Sequence, residues 1–466
     1  MITFDNRFFP IRSAACFLVD GGVILLSVIS SFLILERTGI VKLLDFQDAV
    51  VRGLIIALFC QSCMYILDLY DLKLSHSWGE LFFSLVFAVG FFLIGIGVIS
   101  YIVPVFGVES RMYYLAILLV TILLMMWRMG FYYYIYKISP SHNILIIGGG
   151  HEAQLVSTEI DIRKRYGFRL VGFVMQGKES DTGVSPYRPA NVLGEYEQIG
   201  DIARKFQVHE IVIATGNRRG EYPIREMLDL RVKGYRIVEW QPFFEKLSGR
   251  IPIDNLAPSF FIFSEGFRKS PFVQWIRRGI SFVVSIAGLI LLSPFFLILC
   301  LLIRLDSPGR AFYRQKRIGL NGRSFTLLKF RSMVENSEND SGPRWAIDDD
   351  PRTTRVGRWI RKYRIDEFPQ LVNVLKGDLD LVGPRPERPM FVEKLEQTIP
   401  YYALRHTIRP GITGWAQVMF PYCGTVEESK EKLQYDLFYV KNMSVKLDLL
   451  IIIRTVKILV LGRGSR

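Results

Sequence analysis

Residues 279–303 read GISFVVSIAGLILLSPFFLILCLLI, 25 positions without a charged side chain. As a straight helix at ~1.5 Å per residue this run is ~37 Å long, enough to cross a ~30 Å hydrocarbon layer. Ser293-Pro294 divides it. Proline removes a helical hydrogen bond and clashes with the preceding turn, so a bend is expected there. The arm before the pair is ~21 Å long and the arm after Pro294 ~14 Å, so neither spans alone. Both flanks are basic: Arg268, Lys269, Arg277 and Arg278 before, Arg304, Arg310 and Arg314 after. A spanning helix puts one flank on the unfavoured side. The run reads as a re-entrant helix broken at Ser293-Pro294, entering and leaving by one face. A kinked spanning helix is the alternative.

Around this run the chain has 466 residues, about three domains at roughly 150 each. Half of the residues are hydrophobic, which excludes a disordered or collagen-like chain. The formal charge is +14, and all of that excess lies in the last 201 residues, with 33 basic and 19 acidic side chains. Such segregation calls for an anionic partner: phosphates, anionic head groups or nucleic acid. The region shows no recognition-helix motif, and its long apolar run argues against nucleic acid. Five cysteines in so long a chain do not make a disulfide scaffold, and Cys60-x-x-Cys63 lies in an apolar run, where both read as small buried side chains.

Upstream, apolar runs at about Ser13–Leu35, Val50–Leu67, Leu81–Val103 and Met112–Trp127 predict a four-helix transmembrane bundle. Asp20 and Arg52 should face other helices or snorkel. Arg128 and Lys137 count among loop charges that orient the bundle weakly. Four crossings return the chain to its starting side, expected to be the cytoplasm. From Asn143 the pattern becomes Rossmann-like α/β. A strand Asn143–Ile147 precedes Gly148-Gly149-Gly150-His151-Glu152-Ala153 and a helical stretch through Arg165, with further strands at Arg169–Val174, Glu210–Ala214 and Tyr235–Glu239. Met175-Gln176 follows the second strand where a ribose-binding acid would stand. At the far end Val445–Leu461 is an apolar helix with Lys446, Arg454 and Lys457 on one stripe and Asp448 opposite. It suits a membrane interface, with a soluble-core helix as the alternative.

The densest chemistry lies between Phe325 and Gln417. Adjacent carboxylates Asp366-Glu367 follow Arg358, Arg361, Lys362 and Arg364 and precede Phe368-Pro369, an apolar run and Gly377. Asp366 reads as a helix N-cap, with Pro369 in the first turn and Gly377 past the end. A capping carboxylate needs no function. The same geometry, however, can hold a phosphate beside an acid that basic neighbours keep ionised, as a nucleophile must be. Lys329-Phe330-Arg331 on a strand, the stiff loop Gly383-Pro384-Arg385-Pro386-Glu387, and Arg409-Pro410-Gly411 add cations suited to diphosphate oxygens.

Together, Lys329-Phe330-Arg331-Ser332-Met333, the segment Asp366–Asp378, Leu381–Glu387 and Pro410–Val418 resemble the bacterial sugar transferases, the monotopic polyprenyl-phosphate phosphoglycosyl transferases. Four membrane helices and a Rossmann-like domain upstream look like the large form, which initiates exopolysaccharide or O-antigen synthesis. Residues 432–442 look closest to exopolysaccharide enzymes. Asp380 stands where serine is usual and Phe368 where leucine is commoner, departures that could reshape the sugar pocket.

The resemblance implies a division into a four-helix transmembrane domain (1–139), a Rossmann-like cytoplasmic domain (140–265) and a monotopic α/β catalytic domain (266–466). It implies that Asp366 attacks the β-phosphorus of a UDP-sugar, expels UMP and forms an aspartyl-phosphosugar that undecaprenyl phosphate then takes. Mg²⁺ would be held by Glu367 and Asp366, unless Glu367 only orients. Lys329, Arg331, Arg361, Arg385 with Pro384 and Pro386, and Arg405 or Arg409 would bind substrate phosphates, and Asp436 would support the site. A homodimer in the bacterial inner membrane, with its active site on the cytoplasmic face among membrane lipids, is expected.

Three other readings compete. A nucleotide-sugar dehydratase needs Tyr-x-x-x-Lys after the glycine turn, and the match at Tyr133–Lys137 precedes it. A metal-dependent glycosyltransferase would use Asp348-Asp349-Asp350 or Asp378-x-Asp380, which read better as surface or loop acids. A non-catalytic assembly scaffold would have no need of the Asp366-Glu367 pair.

Overall fold

The computed structural model describes residues 11–37, 46–66, 69–70, 83, 85–88, 90, 110–133, 142–164, 167–176, 191–215, 223–254, 258–264, 266–267, 270–334, 350–420 and 425–460. The chain forms two compact units, Met1–Leu247 and Ser248–Arg466.

In the first unit, three apolar helices are described: α1 (Ile11–Arg37), α2 (Phe46–Ile66) and α3 (Ser110–Tyr133). Of the run Leu81–Val103, residues 83, 85–88 and 90 are described and are helical. The four-helix expectation is thus seen only in part. By length and composition, α1 is one of two described helices able to cross a membrane. Asp20 on α1 faces another helix, as expected: its carboxylate lies 2.6 Å from the Arg128 guanidinium of α3, and both side chains are fully buried. Arg128 also donates to the Leu69 carbonyl at 2.7 Å. Arg128 is therefore a buried helix residue and not a loop charge; a cation in an apolar bundle stays only where its partners are supplied. The Arg52 side chain lies outside the described residues.

The α/β part of this unit is a parallel sheet of five strands in the order β3-β2-β1-β4-β5. Its strands are β1 (His142–Ile147), β2 (Phe168–Val174), β3 (Val192–Gly194), β4 (Glu210–Ile213) and β5 (Arg236–Glu239). Only the three-residue β3 escapes a periodicity argument. The glycine turn leads from β1 into α4 (His151–Ile162). Gly148 has φ +103°, and a Cβ there would lie 2.5 Å from the Ala214 carbonyl oxygen, so only glycine fits. Met175 packs against Gly149, where the expected acid is absent.

The second unit begins at residue 248, earlier than the domain boundary the sequence suggests. Trp415 Nε1 donates to the Gly249 carbonyl at 2.7 Å and the Phe261 ring packs at a tilt 4.6 Å from that of Tyr401, which binds this stretch to the C-terminal region. Next comes α5 (Pro271–Asp306), the second helix long enough to span. Helical conformation continues through Ser293-Pro294, so the pair lies inside one helix and leaves no gap between two. Pro294 lacks the N–H that the Ile290 carbonyl would accept, and the Ser293 hydroxyl donates to that carbonyl instead, at 2.8 Å. The helix therefore continues past the proline with its orphan acceptor satisfied. Its outer face exposes Phe282, Val283, Ile290, Leu291, Leu297 and Leu301.

The catalytic-type motifs sit on short elements around α5. A hairpin pairs β6 (Phe312–Ile318) with β7 (Ser324–Phe330), and β8 (Asp380–Val382) runs parallel to β9 (Gly411–Thr413). Helices α6 (Arg355–Lys362), α7 (Gln370–Lys376), α8 (Val426–Asn442) and α9 (Val445–Val460) surround them. Leu299 and Ile303 of α5 bury against Phe330, Ile360 and Ile365, contributing roughly 2 kcal/mol each. On α9, Asp448 turns inward to Arg277 at 2.6 Å, while Arg454 lies over the Trp415 ring and Leu449 and Val456 are exposed.

Candidate functional site

Asp366 and Glu367 lie on a single 3-10 turn, Ile365–Glu367, entered through Arg364 in the left-handed region (φ 52°). Asp366 is not the N-cap of α7: Pro369 occupies that place, because its ring suits the entry to the helix, and Gly377 ends α7 at φ 92° as expected. The dyad is thereby freed from capping. Asn373 of α7 takes the place of a strand partner for β7, accepting from Leu328 N at 3.0 Å and donating to Thr326 O at 2.8 Å. This fixes Lys329, the next residue of β7, beside the dyad.

The two carboxylates differ sharply. Glu367 is held from two sides, by Lys329 Nζ at 2.9 Å and Arg385 Nη2 at 2.6 Å on Oε1, with Arg385 Nη1 at 3.4 Å from Oε2. Asp366 accepts no hydrogen bond among the described residues; Lys329 Nζ lies 3.8 Å from its Oδ2. Both side chains are largely buried. Burial, added to the neighbouring Glu367 charge, pushes Asp366 up to about 6 despite Lys329, Arg361 and Arg385. Burial acts on Glu367 too, but Arg385 and Lys329 outweigh it and hold it well below the usual carboxylate range. The expectation that basic neighbours keep Asp366 ionised needs this correction: desolvation is the larger effect, and the acid is ionised only above about pH 6.

Behind Arg385 lies a second charged layer. Arg405, 3% exposed, donates to the Arg385 carbonyl at 2.9 Å and pairs with Asp436 at 2.8 Å and Tyr402 Oη at 2.6 Å. Glu387 pairs with Lys432 at 2.9 Å and Arg317 at 3.5 Å, and although burial raises it, Lys432 and Arg317 bring it down to about 2. Pro384 and Pro386 stiffen the loop, their carbonyls accepting from Gly411 N and Arg317.

The structure thus gathers Asp366, Glu367, Lys329 and Arg385 into one site, with Arg361 acting on Asp366 through its charge while it donates to Thr353. Arg405 and Asp436 support this group from behind. Arg331, buried, commits its fork to backbone carbonyls, which corrects its assignment to phosphates, while Arg409 gives its Nε to one. Arg331 donates to the carbonyls of Ile303, Ser307 and Pro308 at the end of α5, and Arg409 to the Gly377 carbonyl at 3.2 Å. Asp380 pairs with Arg278 of α5 at 3.2 Å. Asp378 accepts from Asn373, and Asp350 pairs with Arg352, whose hydrogen bonds bring it down to about 2; Asp348 and Asp349 lie outside the described residues.

Sequence reasoning does not find Arg317, Lys432, Tyr402, Asn373 or the role of Glu387. The one available signal is the i, i+4 spacing of Lys432 and Asp436 on α8. No group of three or more His, Cys, Asp or Glu able to hold a metal occurs among the described residues. An ion carried mostly by a diphosphate would ask the protein for one or two carboxylates.

Comparison with known proteins follows the same division. A family model described as bacterial sugar transferase matches residues 272–462, and one described as a CoA-binding domain matches residues 65–228. The chain is 39% identical over 189 residues to the exopolysaccharide production protein PSS of Rhizobium leguminosarum bv. phaseoli, covering 39% of this chain and 93% of that protein. It is 43% identical over 222 residues to a UDP-N-acetylgalactosamine-undecaprenyl-phosphate N-acetylgalactosaminephosphotransferase of Aeromonas hydrophila, covering 48% of this chain and 52% of the relative. It is 32% identical over 337 residues to an undecaprenyl-phosphate glucose phosphotransferase of Komagataeibacter xylinus, covering 70% and 60%. The chain therefore spans little more than half the length of these last two relatives.

Proposed function

The chain belongs to the bacterial sugar transferase family, and on that premise we propose that it transfers a sugar 1-phosphate from a UDP-sugar to undecaprenyl phosphate. The observation that carries this reading is the asymmetry of the dyad. Glu367 is tied by Arg385 and Lys329, while the adjacent Asp366 is desolvated and accepts no hydrogen bond among the described residues. A carboxylate in that state is an activated nucleophile beside two cations able to receive phosphate charge.

In the proposed reaction an Asp366 oxygen attacks the phosphorus that bears the sugar. The bond from that phosphorus to the bridging oxygen breaks, and UMP leaves with the electron pair. An oxygen of undecaprenyl phosphate then attacks the same phosphorus, and Asp366 departs as a carboxylate. Lys329, Arg385 and Arg361 orient the diphosphate and offset its charge. Glu367 with Asp366 would hold Mg²⁺ against the diphosphate, where the ion's chemistry is charge neutralisation.

The placement of α5 supports a site at head-group depth. Arg277 and Arg278 near its start, and Leu299 and Ile303 near its end, are all engaged by the same unit. A straight helix separates the first from the last of these by ~39 Å. One unit gripping both halves favours a helix that enters and leaves by the face on which UDP-sugars are found, the cytoplasmic one.

The test is UMP release with undecaprenyl phosphate across a donor panel that includes UDP-glucose, UDP-galactose and UDP-N-acetylgalactosamine. Asp366→Asn should abolish turnover and the phosphosugar adduct on the protein. Substantial residual turnover in that variant sinks the nucleophile assignment.

A further inference from the structure

Strand β8 has two edges, and among the described residues only one is paired by a strand. On that side Asp380 N donates to Pro410 O at 2.9 Å and Gly383 N to Thr413 O at 2.9 Å. The opposite edge is met by side chains of the membrane helix α5. Arg278 donates to Leu379 O at 2.9 Å and to the Asp380 carboxylate at 3.2 Å. Ser281 Oγ accepts from Leu381 N at 3.3 Å, and Arg277 donates to Val382 O at 3.1 Å. Four consecutive residues, 379–382, are thus held from α5. Backbone groups at a buried strand edge must find partners, and here the partners are arginine forks in place of a further strand.

The same two arginines reach further. Arg278 Nη2 donates to Val374 O at 2.6 Å and lies 3.4 Å from Leu375 O, the terminal carbonyls of α7, where a cation also meets the negative end of the helix dipole. Arg277 is fixed by Asp448 at 2.6 Å and Tyr439 Oη at 2.5 Å. The segment from Glu367 to Arg385 is therefore closed at both ends. At the catalytic end Arg385 grips Glu367; at the far end Arg278 joins the close of α7 to the start of β8. Leaving β8, the chain runs straight into Gly383-Pro384-Arg385.

We infer that Arg277, Arg278 and their partner Asp380 are positioning residues that set Arg385 against Asp366 by hanging both catalytic segments from the membrane helix. They touch no reacting atom. Their effect is on the distance between a phosphate-binding cation and the nucleophile, a quantity to which group transfer is steeply sensitive. Asp380 gives Arg278 a charge partner and makes the joint an ion pair.

This inference rests on the transferase reading above, and single-turnover UMP release by the full chain in lipid nanodiscs tests it. The amplitude counts competent sites and the rate reports their geometry. Arg278→Gln should slow the rate by roughly 10- to 100-fold at unchanged amplitude. Arg278→Lys should recover part of it, because lysine keeps the charge without the fork. Should Arg278→Gln fail to fold, Asp380→Asn and Ser281→Ala decide, each expected to slow the rate at full amplitude. A wild-type rate in the variants that fold, or a loss confined to amplitude, overturns the positioning role while leaving the transferase reading intact. Absence of turnover in the wild type with every donor overturns both.

Discussion

Arg385 and Glu367 are joined by a fork, Nη2 lying 2.6 Å from Oε1 and Nη1 3.4 Å from Oε2. That fork separates two carboxylates that are neighbours in sequence into two roles. Glu367 becomes a fixed counter-charge, and Asp366, one residue away on the same 3-10 turn, accepts no hydrogen bond among the described residues.

Glu367→Gln removes the charge that holds Arg385 and Lys329. Turnover is expected to fall about 100-fold, the size of effect seen when a preorganised electrostatic contact is lost. The two released cations and the missing negative neighbour should also lower the Asp366 pKa, so the acid limb of the pH–rate profile moves down. An unchanged profile would contradict the coupling described for the dyad.

In the wild type the acid limb should lie near pH 6, because burial holds Asp366 at about 6. Below that the carboxyl is neutral and cannot attack, so the rate should fall tenfold for each further pH unit. UMP release measured from pH 4.5 to 8 checks this; a limb near pH 4 would mean that Asp366 is solvated in the working enzyme.

The same group makes a stability prediction. Its folded pKa lies above the value of 3.8 expected unfolded, so its contribution to stability is complete below about pH 3.8 and is lost as pH rises through about 6. At pH 7.5 the ionised acid weakens the fold by on the order of 3 kcal/mol. Asp366→Asn should therefore melt higher than wild type at pH 7.5 while being inactive, and the gain should vanish near pH 4. Thermal unfolding in detergent at both pH values is the measurement.

Arg405 and Asp436 are both at most 3% exposed and paired at 2.8 Å. Asp436→Asn leaves a buried cation without its counter-charge and should destabilise the protein by about 3–5 kcal/mol. Arg405→Met combined with Asp436→Leu should recover much of the stability but not the turnover, because the Arg385 carbonyl then has no donor behind it. Melting temperature and UMP release, measured on all three proteins, separate the two effects.

Trp275 and Leu305, near opposite ends of α5, are both exposed on the protein. With a re-entrant helix, Trp275→Cys and Leu305→Cys in sealed vesicles should react with an impermeant thiol reagent from the same side. Labelling from opposite sides would mean a spanning helix and would remove the membrane argument from the proposed function.

Much of the site was legible from local pattern. Asp366-Glu367, Lys329 and the Pro384-Arg385-Pro386 loop lie in dense motifs, and the structure brings them together. Arg331 was misread because nothing in an arginine's neighbours along the chain tells whether its fork meets a substrate phosphate or a backbone carbonyl. Asn373 and Lys432 escaped for the converse reason, since each acts on a residue, Leu328 or Glu387, 45 positions away.

What the sequence alone determined was whatever depends on short-range order. The glycine turn after β1, the apolar run of α5 and the alternation of strands and helices follow from backbone sterics and hydrophobic period over a few residues. The tertiary structure alone decided which carboxylate is tied and which is open, that the Ser293 hydroxyl carries the helix past Pro294, and that Asp380 faces Arg278. Those outcomes depend on which buried groups find partners across the fold, and in a desolvated interior the energy of a charge is set by its spatial neighbours, whatever their distance along the chain.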